Sequence, residues 1–182
     1  MYKSLVKIFF ISFLAAGNTN AYANVSAERT LAWIKDKISK YQEATIKNED
    51  YYYRYHSISL SADKCKFFME RQFIDEGEVD QIAELTFDLQ SFKAITSRHL
   101  KKEMPEDSDS GPEIFIKSHA KNVQYKFLVS DDLPKGTVHY SDDIHINFDY
   151  EIEANIVKRM EKAFMNLKQI AEQNCQGSDE AF

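Results

Sequence analysis

Residues 154–175, ANIVKRMEKAFMNLKQIAEQNC, decide how the rest of the chain is read. Ile156, Met160, Phe164, Leu167, Ala171 and Cys175 recur at steps of three and four, which puts them on one stripe of a helix. Lys158, Arg159, Glu161, Lys162, Asn166, Lys168 and Glu172 fall largely outside that stripe. No Pro or Gly interrupts the run, and Gly177 follows as a stop signal. A helix with one apolar stripe has to bury it, and the strand-like segments that precede it are the natural partner.

The last of those segments, Asp143–Ile152, places Ile144, Ile146, Phe148, Tyr150 and Ile152 on one face without a fault. Working back, period-two runs occur at Val123–Val129, Glu113–His119, Phe92–Thr96, Ile82–Leu89, Cys65–Ile74 and Tyr51–Leu60. In the Cys65–Ile74 run, Cys65, Phe67, Met69 and Phe73 share a face on which Arg71 is the exception. Asp75–Glu78 reads as a turn in which Gly77 can take a positive φ. Residues 101–112 (KKEMPEDSDSGP) read as a mobile loop, and Ser130–Asp142 as a second polar loop. Upstream, Ala27, Leu31, Ile34, Ile38, Tyr41 and Thr45 mark a helix over Ser26–Ile46, with Ser26 as its N-cap. Trp33 lies about a hundred degrees off that stripe, as a rim residue or a partner contact.

The expectation is an α+β domain: an N-terminal helix, an antiparallel sheet of six or seven strands and a long C-terminal amphipathic helix. This element order over residues 50–175 resembles the pleckstrin-homology-type split barrel with an added N-terminal helix. The resemblance is one of topology, without a motif, and a plainer curved sheet holding two helices is the alternative.

Residues 1–23 read as a signal peptide. Lys3 and Lys7 form the n-region, Ile8–Leu14 the apolar h-region, and Ala21-Tyr22-Ala23 the small-x-small cleavage site. The apolar run is too short for a permanent bilayer span. The expected compartment is the bacterial periplasm or the outside, with no stable membrane anchor after cleavage and residues 24–182 forming one domain. The segment carries two lysines and no acid, so the net charge of −6 becomes −8 on its removal. An acidic surface argues against nucleic acid as a partner, because phosphate binding relies on Lys and Arg. Cys65 and Cys175 are the two cysteines. In an oxidising compartment they are expected to form a disulfide that clips the last helix to the sheet.

No catalytic constellation assembles from the residues. There is no G-x-S-x-G, and no Gly-rich phosphate loop among five glycines. Bridged cysteines leave no thiol nucleophile. On the last strand Asp143, His145, Asn147, Asp149 and Glu151 share a polar face, with His139 and Asp142 just upstream. That face invites a divalent ion, but reads first as the solvated side of a regular strand. The most unusual local feature is Tyr51, Tyr53 and Tyr55, which alternation sends to one face, opposite Tyr52, Arg54 and His56. Packed inward they are core; facing solvent they are a stripe suited to protein contact.

The first functional expectation is therefore an exported, non-enzymatic interaction domain without a cofactor. Its partner would be another envelope or extracellular protein, met through Tyr51, Tyr53, Tyr55 and Trp33 or the groove beside the last helix. The alternatives are a carrier of a lipid or small apolar ligand between sheet and C-terminal helix, and a metal-dependent hydrolase around His139–Glu151.

Overall fold

The computed structural model describes residues 26–46, 51–99, 112–148 and 153–175. The proposed signal segment and residues 101–111 of the loop lie outside the described residues. In order, the elements are α1 (Ala27–Ile46), β1 (Tyr51–Leu60), β2 (Lys66–Asp75), β3 (Glu78–Asp88), β4 (Phe92–His99), β5 (Pro112–Ser118), β6 (Val123–Ser130), β7 (Val138–Ser141), β8 (Asp143–Asn147) and α2 (Ile156–Asn174). Among the described residues the fold is α+β, with two antiparallel sheets rather than one and no closed barrel. The larger sheet runs β1-β2-β3-β6-β7 and the smaller β4-β5-β8.

The described residues form eight strands, against an expectation of six or seven. The additional one is β7, within the Ser130–Asp142 segment read as a polar loop. Its four residues leave too short a run for periodicity to register, and pairing with β6 extends them: Val138 faces Lys126 and Ser141 faces Val123. The long final strand is also corrected. β8 ends at Asn147, Phe148 is buried beyond it, and residues 149–152 lie outside the described residues.

The helix stripes bury as their spacing requires. Ile156, Met160, Phe164, Leu167 and Ala171 of α2 are inaccessible, and Phe164 sits with ring centroids 5.3 Å from Phe67 and 5.6 Å from Phe92. On α1, Ala27, Ile34, Ile38 and Tyr41 are buried, and the Ser26 hydroxyl accepts the Arg29 N–H as an N-cap. Asn166 of α2 donates to the Thr30 hydroxyl of α1 at 2.7 Å.

Two local devices set the sheet register. At β2–β3, Glu76 (φ 45°) and Gly77 (φ 86°) both take positive φ, the two-residue turn that matches strand twist. In β1, Ser57 (φ 50°) marks an irregularity between His56 and Ser59. The extra residue switches the inward phase, so Tyr55 before it and Ile58 after it are both buried.

Cys65 and Cys175 are joined, with Cα atoms 6.2 Å apart and a sequence separation of 110. Cys65 ends the turn before β2 rather than starting the strand, and Cys175 closes α2, where its N–H bonds the Ala171 carbonyl. Asn174 donates to the Asp63 carbonyl beside the bridge, which ties the end of α2 to the β1–β2 turn.

Candidate functional site

Two sheets present four edge strands, and unpaired edge groups must be satisfied or left to solvent. Side chains bond outward backbone groups on three of the four. At β1, the Gln42 amide of α1 donates to the Tyr53 carbonyl at 2.9 Å and accepts the Tyr55 N–H at 3.4 Å. At β4, Lys168 of α2 donates to the Phe92 carbonyl at 3.0 Å and Glu161 accepts the Ile95 N–H at 3.4 Å. At β8, tyrosine hydroxyls from the larger sheet stand in for a missing strand. Tyr55 accepts the Asn147 N–H at 3.2 Å and donates to the His145 carbonyl at 3.1 Å, and Tyr125 donates to the Asp143 carbonyl at 3.0 Å. Burial pushes both phenol pKa values up, that of Tyr125 to about 12, so both stay protonated hydrogen-bond donors at neutral pH.

The fourth edge, β7, is different. The Thr137 carbonyl accepts from Phe127 of β6, so by alternation Val138 and Tyr140 turn their N–H and C=O groups outward. Among the described residues nothing bonds to them. Their side chains are also open: Tyr140 is 60 % exposed and Val138 37 %, with Val129 of β6 at 45 %. His139, on the other face, stacks edge-on against Phe127 at 5.3 Å.

Within the tyrosine stripe of β1, Tyr55 points inward. Tyr55 is 6 % exposed and belongs to the core, which corrects its place in an exposed contact stripe. The reason is geometric: its hydroxyl is spent on β8. Tyr53 is half-buried, its ring 5.3 Å from Phe73. Tyr51 pairs with Asp75 through its backbone, and its side chain lies outside the described residues. On the opposite face Arg54 donates to the Tyr52 hydroxyl at 3.0 Å.

Trp33 is half-buried between two cations, Arg159 at 5.2 Å and Lys37 at 5.9 Å from its ring. Both bond Glu153, which also accepts the Tyr41 hydroxyl. This network joins α1 to the start of α2, and it does not bring Trp33 to the tyrosines.

The polar face of β8 is only partly solvated: the His145 side chain is 45 % exposed, while its neighbours on that face are covered. Asp143 and Asn147 are each 7 % exposed. Burial raises the Asp143 carboxyl, but the hydrogen bond from Lys117, the charge of His145 and the Ser141 hydroxyl outweigh it and leave the pKa below the ordinary value. Its oxygens are thus already engaged: Lys117 takes one, and His145 (3.0 Å) and Ser141 (3.2 Å) the other. Asp149 and Glu151 lie outside the described residues. Among the described residues no three His, Cys, Asp or Glu converge on a metal position, and no helix is long and apolar enough to cross a membrane. Between α2 and the sheets, the place of the alternative apolar cargo, Phe67, Phe92, Phe164 and Leu167 are buried, and the Phe164 ring packs on Phe67 and Phe92.

Sequence reasoning missed Gln42, Tyr125 and Glu153, whose roles depend on partners far along the chain. Arg71 carried a signal, as the one charge on an apolar face. No family model, curated protein or solved structure matches this chain.

Proposed function

We propose that the protein is an exported, non-enzymatic interaction domain that accepts an extended segment of another envelope or extracellular protein along β7. The single observation that carries this reading is the contrast among edges: side chains bond the backbone of β1, β4 and β8, while among the described residues β7 keeps free backbone groups beside exposed Tyr140 and Val138. Free N–H and C=O groups in a row select an extended peptide, because only a strand matches their spacing. The alternating side chains then set the preference, here an apolar or aromatic residue against Tyr140. Four residues limit the added strand to a few hydrogen bonds, which also guards the edge against runaway self-association.

Export rests on the Lys3–Ala23 pattern, with maturation after Ala23, and is in keeping with a disulfide that persists where thiols oxidise. The element order, ending in a helix packed on the sheets, supports the likeness to a pleckstrin-homology-type split barrel; function here is argued from the edge and not from that likeness.

The test is capture from the exported fraction with wild type and Tyr140→Pro. Proline removes one outward N–H and is tolerated on an edge strand. The mature wild type, starting at Asn24, retains a protein partner that Tyr140→Pro loses while keeping its circular dichroism. Equal capture by both forms would remove β7 from the contact.

A further inference from the structure

Arg71 sits where the alternation of β2 demands an apolar residue. It lies on the inward face of the larger sheet, cross-strand from Tyr55 and Ala83, both buried. Its guanidinium carbon is 4.5 Å from the Tyr53 ring centre and 5.0 Å from that of Tyr125. Nη2 reaches Gln81 Oε1 at a long 3.4 Å, and the buried Nε has no acceptor. No carboxylate pairs with it among the described residues. Ring faces ease the burial of a cation, but they do not satisfy its N–H groups, and an unpaired buried donor is costly. A second unsatisfied atom belongs to the same layer. Asn147 is 7 % exposed with Oδ1 unpartnered, and its backbone N–H is held by Tyr55, the residue opposite Arg71.

The chemistry that completes this arrangement is specific. The open part of a guanidinium flanked by rings is its N–H edge, which matches two oxygens of a planar acceptor. Around it Tyr53, Phe73 and Gln81 are half-buried and present two aromatic rings. The net charge of −6 disfavours multiply charged anions at long range. We propose that Arg71 anchors a binding site for a small organic monocarboxylate with a flat apolar body, its carboxylate on the Arg71 fork and its body against Tyr53 and Phe73. The unpartnered Asn147 Oδ1 offers a further acceptor to a ligand that carries a donor. This site is separate from the β7 edge and stands or falls independently of it.

The test is titration of the mature, disulfide-intact protein with benzoate, and separately with inorganic phosphate, following by NMR the Arg71 Nε–Hε resonance in the wild type and the backbone amides of Tyr53 and Ala83 in wild type and variants alike. Benzoate is expected to give a saturable shift, and phosphate none. Arg71→Gln is expected to weaken benzoate binding by about 10- to 100-fold, the range for a charge-assisted hydrogen bond. Arg71→Lys keeps the charge, loses the fork and is expected to weaken it at least about tenfold. It also serves if Arg71→Gln does not fold. No saturable shift with benzoate, a shift with phosphate as strong as with benzoate, or wild-type binding in Arg71→Lys would each overturn the assignment.

Discussion

Tyr55→Phe removes one oxygen atom and keeps the ring, so it isolates the tyrosine strut between the sheets. In the wild type that oxygen serves two backbone groups of β8, the Asn147 N–H at 3.2 Å and the His145 carbonyl at 3.1 Å. Tyr55 is 6 % exposed, so water does not readily replace it. Each orphaned buried group costs about 1–3 kcal/mol. Two such groups, with partial relaxation of the strand end, put the loss at about 2–4 kcal/mol. Tyr125→Phe orphans a single carbonyl, that of Asp143, so its loss is about 1–2 kcal/mol. Urea unfolding followed by Trp33 fluorescence measures both, with an unchanged slope showing that the unfolded state is the same. A Tyr55→Phe loss below about 0.5 kcal/mol, the range of ordinary surface substitutions, would refute the strut, as would a larger loss for Tyr125→Phe.

Replacing both Cys65 and Cys175 by Ala opens a 110-residue separation and is expected to lower stability by up to about 4–5 kcal/mol in the chain-entropy account; the same urea series reads it. Alkaline unfolding follows from the buried phenols. Tyr125 is raised from 10.0 to about 12 by burial, so its contribution is complete below pH 10 and is lost as pH climbs toward 12. A Tyr55→Phe, Tyr125→Phe double variant should therefore lose less stability than wild type between pH 10 and 12 in pH-jump denaturation. Glu153→Gln leaves Lys37 and Arg159 without their anion and is expected to cost about 1–3 kcal/mol, with a change in the emission of Trp33, which lies against both cations.

The parts of the fold that local periodicity encodes were legible. The stripe from Ile156 to Ala171 is buried residue for residue, and Cys65 meets Cys175 as oxidising chemistry implied. What was not legible depends on who lies opposite whom. Residues 138–141 carry no strand pattern of their own and become β7 only beside β6. The division into two sheets leaves β8 as an edge, and the Tyr55 and Tyr125 hydroxyls reach its backbone from strands 90 and 18 residues away in sequence. Asp143 and Asn147 alternate like solvent-facing residues, yet both are buried, because a period of two separates faces without saying what covers them. Of the candidate site, Arg71 broke its strand's pattern and was visible for that reason. Gln42 looked like any polar residue of an exposed helix face until the free edge of β1 was placed beside it.

The central claim is that, among the described residues, β7 alone is an edge with no side chain on its backbone groups, and residue-resolved amide hydrogen exchange on the disulfide-intact protein tests it most directly. The outward amides of Val138 and Tyr140 should exchange at near-unprotected rates, while those of Tyr55, Ile95 and Asn147, held by Gln42, Glu161 and the Tyr55 hydroxyl, should be slowed by several orders of magnitude. Slow exchange at Val138 and Tyr140, matching that at the other three edges, would show that the fold already closes β7 and would contradict the account.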